Sequence, residues 1–165
     1  MTGYYAQQSG FEQTANVKPP KWIRYTPQHL SEAGYRCYHS GKWHVPVKPV
    51  AGAGFHQSYF LGDQNRFFSP TAHALNDTPL PAVKREDGFY ATTAIADHAL
   101  NFLRAHQKER PADPYFLYLA FTSPHFPLHA LPEDIARYAD GYVSGWDAIR
   151  QQRWKKQRAG QKVAA

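Results

Sequence analysis

Two short stretches hold the residues best suited to chemistry. Ser40-Gly41-Lys42-Trp43-His44 puts a cation and an imidazole two residues apart on a glycine-supported turn. Ser123-Pro124-His125-Phe126-Pro127 sets a second imidazole between two prolines. A lysine ammonium is a compact charge for an oxyanion, and a histidine exchanges a proton near neutral pH. Lys42, His44 and His125 together suit a reaction that puts negative charge on a sulfuryl or phosphoryl group and must protonate a leaving oxygen. Taken alone, a Lys-Trp-His triplet more often marks a surface turn pinned by a packed tryptophan.

The surrounding pattern places both stretches at strand ends. Thr26 reads as a helix cap with Pro27 at the first helical position, Gln28 to Ala33 continue the helix, and Gly34 supplies a left-handed stop. Tyr35-Arg36-Cys37-Tyr38 then reads as a strand leading into the Ser40–His44 turn. Phe89 to Arg110 has one apolar face, formed by Ala91, Ile95, Ala99, Phe102 and Leu103, at helical spacing. Pro111 and Pro114 end it. Tyr115 to Phe121 is an apolar run of strand length, as expected of a strand buried on both faces of a parallel sheet. A short helix over 132–138 and a final one from Gly145 or Trp146 to Arg158 follow, and 159–165 form a tail. Residues 1–25 read as irregular. Residues 45–88 read as a long loop excursion anchored by Tyr59, Phe60, Phe67 and Phe68. The fold class is α/β, with a mostly parallel sheet flanked by helices, and ligands bind such sheets beyond the carboxyl ends of strands.

Composition narrows the function classes. The 165 residues are 42% hydrophobic and 15% aromatic, as in a globular domain or a piece of one. Much of the net charge of +6 sits in Arg150, Arg153, Lys155, Lys156, Arg158 and Lys162. No nucleic-acid motif accompanies them, so they read as a solvated helix face and no nucleic-acid partner is expected. Cys37 is the only cysteine, which excludes an intramolecular disulfide and a multi-cysteine zinc site. No run reaches the ~18–20 apolar residues of a membrane span. Met1 to Tyr5 resembles no secretory signal, and the location stays open. His29, His39, His56, His73, His98, His106 and His129 match no metal-ligand spacing. Asp63, Asp77 and Asp113 stand singly, while Glu86-Asp87 and Glu133-Asp134 lie at helix starts, where acidic residues suit the dipole.

In combination these pieces resemble the type I sulfatases, the arylsulfatase branch of the alkaline-phosphatase-like fold. Ala33-Gly34-Tyr35-Arg36 followed by Gly41-Lys42-Trp43-His44 resembles the family's second signature. Pro114 to Phe121 with Ser123-Pro124-His125-Phe126-Pro127-Leu128 is similar to its strand-plus-histidine block. Asp140-Gly141-Tyr142 and Gly145 to Arg150 resemble the segment that follows, and Met1 to Gln8 the tail of the first signature. The resemblance implies hydrolysis of sulfate esters, of small molecules or glycans. It gives Lys42 a sulfate contact that also helps hold the nucleophile. It makes His44 the partner of the nucleophile's hydroxyl and the base that breaks down the sulfated enzyme. His125 binds sulfate and assists the departing alcohol.

The resemblance also implies calcium and a formylglycine made within Cys/Ser-x-Pro/Ala-x-Arg. Cys37-Tyr38-His39-Ser40-Gly41 has neither the Pro/Ala nor the Arg, so Cys37 is expected to be a buried strand side chain. The nucleophile motif and an Asp-Asp pair would fall before Met1, and an Asp-Asn pair and a further lysine beyond Ala165. The expectation is therefore an internal piece of a catalytic domain, a partial sandwich without its first strand and C-terminal part. It has no metal ligands, leaves an apolar sheet edge unpaired, is poorly soluble and is inactive alone. Two other readings stand beside it: a non-catalytic paralogue acting as a binding module, and a related phosphomonoester or phosphonate hydrolase.

Overall fold

A computed structural model describes residues 1–9 and 19–160. The chain forms two units, Met1–Leu128 and His129–Ala165. The first holds a five-stranded sheet in the order β4-β3-β2-β1-β5.

The central strand β1 (Arg36–Lys42) follows directly on α2 (Thr26–Glu32). The helix begins at Thr26 because Tyr25 takes the cap position, its amide donating to Gln28 Oε1 at 2.8 Å. Gly34, at φ +87°, turns the chain out of the helix, and the Tyr35 amide bonds back to the Leu30 carbonyl. Successive strand residues face opposite sides of a sheet. Cys37 accordingly joins a cluster with Ile23, Tyr25, Trp43, Ala53 and Phe55, with Leu30 of α2 packed against it. Tyr38 joins Tyr59, Leu61 and Phe67 against α3 (Ala91–Glu109), which buries Ala91, Ile95, Ala99 and Phe102 as its spacing predicts. The same face continues to the buried His106. Its Nε2–H donates to the Asp113 carbonyl at 3.0 Å, and its Nδ1 accepts from the Tyr38 hydroxyl at 2.9 Å.

Strand β5 (Tyr115–Ala120) pairs parallel with β1, from Arg36 opposite Tyr115 to Gly41 opposite Ala120. Its burial departs from expectation. Tyr115 and Leu119 are exposed, because β5 lies at the sheet edge and has a ladder partner on one side only among the described residues.

Residues 45–88 also differ from their loop reading. They contain β2 (Gln57–Leu61), parallel to β1, and the antiparallel β3 (His73–Leu75) and β4 (Thr78–Pro79). The sheet is thus mixed, flanked by helices. Asn76 and Asp77, at φ 49° and 66°, make the two-residue turn of the β3–β4 hairpin. Their side chains work structurally. Asn76 Oδ1 accepts from the Ser58 amide at 2.9 Å, and the Asp77 carboxylate accepts from the Val50 and Ala51 amides at 3.2 and 2.7 Å. The Asp63 carboxylate likewise accepts from the Thr71 and Ala72 amides. A short helix, α1 (Ala6–Ser9), interrupts the N-terminal segment expected to be irregular, and 10–18 lie outside the described residues.

The second unit consists of α4 (Pro132–Tyr138), a 3-10 turn over Ala139–Tyr142, and α5 (Gly145–Gly160). Glu133 and Asp134 occupy the first turn of α4. No residue of α5 is buried, so its arginines and lysines form a solvated face, with the Arg158 guanidinium 4.9 Å from the Trp154 ring centre. Lys162 lies outside the described residues. No described helix is long and apolar enough to cross a membrane.

Candidate active site

The site is built from the carboxyl ends of β1 and β5. Gly41 opposes Ala120 so closely that a Cβ there would run into the Ala120 carbonyl, and its φ of +119° is one that side-chain-bearing residues rarely adopt. Lys42 is the last residue of β1, still in register with Leu61 of β2, so it lies in the strand and not in a turn after it. Trp43 turns into the core. Its indole N–H donates to the Val47 carbonyl at 2.6 Å, and its ring meets those of His39, Phe55 and Tyr118. The flanking residues stay accessible, Lys42 half-buried and His44 exposed. Neither the Lys42 ammonium nor the His44 imidazole has a hydrogen-bond or ion-pair partner among the described residues.

At the end of β5, Thr122 is buried and the chain closes a tight turn in which the His125 amide donates to the Thr122 carbonyl at 2.9 Å. The Ser123-Pro124 and Phe126-Pro127 peptide bonds are cis. His125 Nδ1 lies 2.6 Å from the Phe126 carbonyl oxygen. A carbonyl only accepts, so Nδ1 carries a proton and Nε2 is left to accept when the ring is neutral and to donate when it is charged. The Thr92 and Ser123 hydroxyls, 3.4 Å apart, tie this turn to the start of α3.

The β1–β5 register sets Lys42 one step beyond the Gly41–Ala120 pair and the His125 turn just after Ala120. The structure therefore brings Lys42, His44 and His125 to the same end of two adjacent parallel strands. No group of three or more His, Cys, Asp or Glu side chains that could hold a metal ion occurs among the described residues. Cys37 is fully buried, and burial pushes its thiol pKa up.

One residue of this region is invisible to spacing rules. His39 lies three positions before Lys42, fully buried between Ser58 of β2 and Tyr118 of β5 in the strand register. Its Nδ1 lies 2.7 Å from Ser58 Oγ and its Nε2 3.3 Å from the Lys42 carbonyl oxygen. Its ring packs against Trp43, Phe55 and Tyr118 with centroids 5.3, 5.5 and 5.7 Å away. Burial holds this imidazole down to about 4. Nothing in the sequence marks His39, because its partner Ser58 is 19 residues away and belongs to an unforeseen strand.

An open α/β sheet with a lysine and two histidines at the carboxyl ends of neighbouring parallel strands has the arrangement in which such sheets hold their ligands. The sulfatase family model matches residues 1–163, and the chain belongs to that family. It is 31% identical over 150 residues to an uncharacterised sulfatase of Schizosaccharomyces pombe, covering 80% of this chain and 26% of that protein. It is 30% identical over 138 residues to an arylsulfatase of Klebsiella aerogenes, covering 76% of this chain and 29% of the relative. Among solved structures, Ps i-CgsB in complex with k-i-k-neocarrahexaose superposes with a TM-score of 0.71 at 25% identity, over 85% of this chain and 36% of that one. A protein solved with D-glucosamine-2-N,6-O-disulfate shares the fold, at a TM-score of 0.62 and 22% identity, over 84% of this chain and 26% of its own. The architecture is that of the alkaline-phosphatase-like sulfatases, and the chain spans 26 to 30% of the first curated relatives it matches.

Proposed function

We propose that this chain carries the sulfate-binding face of a sulfate-ester hydrolase. The observation that carries the reading is the β1–β5 register, which supports one cation and two imidazoles meeting at a single sheet end. Lys42 would pair with the sulfate oxygens as a point charge. His125, its Nδ1 proton held by the Phe126 carbonyl, would bind sulfate through a protonated Nε2 and pass that proton to the departing oxygen. His44 would exchange a proton on the same side of the anion. The substrate class is a sulfate ester of a small molecule or glycan, and the carbohydrate bound to Ps i-CgsB favours the glycan side.

The family's formylglycine and calcium are expected of the working enzyme. No Cys/Ser-x-Pro/Ala-x-Arg run occurs in the 165 residues, and no metal cage forms among the described ones. By itself the chain should bind sulfate without turning over esters. In a titration followed by the ring signals of the histidines, sulfate should shift His44 and His125, and Lys42→Ala should abolish both shifts. An unresponsive wild-type protein would reject the site. Turnover of p-nitrophenyl sulfate above a Lys42→Ala/His125→Ala control would reject the inactivity. Tighter binding of inorganic phosphate than of sulfate would move the substrate class to phosphomonoesters.

A further inference from the structure

His39 offers two ring nitrogens, both engaged. The Lys42 carbonyl can only accept, so the bond at 3.3 Å requires the proton on Nε2, and Nδ1 must then accept from the Ser58 hydroxyl at 2.7 Å. Ser58 is itself held. Its amide donates to Asn76 Oδ1 at 2.9 Å, and the Asn76 amide returns a bond to the Ser58 carbonyl at 2.8 Å. A continuous chain of hydrogen bonds thus runs from the β3–β4 turn through Ser58 and His39 to the peptide that joins Lys42 to Trp43. That peptide lies one residue beyond Gly41, whose φ is positive and which contributes no side chain to hold the strand end. Three aromatic rings fix the imidazole plane from the sides.

An apolar residue of similar volume would fill this box without the cost of burying two polar nitrogens. Burying them gains a direct grip on the Lys42 carbonyl. We propose that His39 is a positioning residue of the anion site, bracing the Lys42–Trp43 peptide so that Lys42 and His44 are presented in one fixed arrangement. This rests on the sulfate-site reading given above.

The test uses the full chain with two variants. His39→Leu removes both bonds at similar volume, and His39→Gln keeps an N–H donor for the Lys42 carbonyl. Backbone amide exchange at Lys42 and Trp43 should speed up about tenfold in the leucine variant and stay near wild type in the glutamine variant. Sulfate affinity should fall about tenfold in the first and recover in the second. Should His39→Leu fail to fold, Ser58→Ala unlocks the ring from its other side and should move both readouts in the same direction. Unchanged exchange in folded His39→Leu or Ser58→Ala protein, or equal losses in the leucine and glutamine variants, would overturn the brace. A wild-type chain that ignores sulfate would sink the site reading, and with it the functional half of the proposal, while amide exchange still decides whether His39 holds the peptide.

Discussion

The end of β1 and the end of β5, which the proposed site draws together, are held by different means. Around Lys42 the chain has a strand on either side, a buried tryptophan as the next residue, and a buried imidazole gripping its carbonyl. Around His125 the strand has one ladder partner among the described residues, the turn is closed by bonds within a few residues, and Phe126 is 78% exposed. The first is held by residues distant in sequence, the second almost entirely by its own local geometry. Changes near Lys42 should therefore be felt by the whole fold, whereas changes near His125 should be felt by function alone.

The largest effect should come from Gly41→Ala. The new Cβ collides with the Ala120 backbone and the residue must hold φ +119°, so unfolding in urea should show a loss of about 3 kcal/mol or more. A wild-type midpoint would mean that the two strands can separate there freely, and the contrast would collapse.

Next comes the response to acid. With its imidazole held at about 4, His39 takes up its proton in the unfolded chain before it does so in the folded one. The neutral buried ring contributes in full above about pH 6.5, and the advantage fades as pH falls towards about 4, a loss of about 3 kcal/mol across that window. Burial lowers His98 and His56 too, which adds to the same slope. Stability measured from pH 7 to pH 4 should fall less steeply in His39→Leu than in wild type. Parallel curves would show that the β1 end is not the acid-sensitive one.

A smaller loss is expected on the opposite face of β1. Tyr38→Phe removes the donor to buried His106 Nδ1, and should cost about 1–2 kcal/mol by denaturant unfolding. His125→Ala should be the mildest, moving the midpoint by less than about 0.5 kcal/mol while erasing its part of the sulfate response. A stability loss as large as that of Tyr38→Phe would mean that the β5 turn is also held by the core.

What could be read from the sequence follows the same division. Local signals were sufficient for the Gly34 stop, the apolar stripe of α3 and the run of β5, because each is set by neighbours within a turn or two. They also located Lys42, His44 and His125 at strand ends. They failed over 45–88, where Ser58 is buried in a strand only because His39 and Asn76 satisfy it from other segments. The runs on either side of Asn76-Asp77, three and two residues long, are too short to read as strands. The apolar run of β5 reports what a strand can bury and not which neighbour covers it.

Cys37 turns this architecture into a measuring device. It is the sole thiol of the chain, fully buried in the cluster that also holds Trp43, and its S–H faces the Pro27 carbonyl of α2 at 3.5 Å. A disulfide reagent in solution can reach it only when this packing opens, and burial leaves the thiol less ready to ionise until that happens. The rate at which a coloured leaving group appears is then a clock for that opening. Read with and without sulfate, the same clock would report whether an anion at the rim tightens the packing on which Lys42 stands.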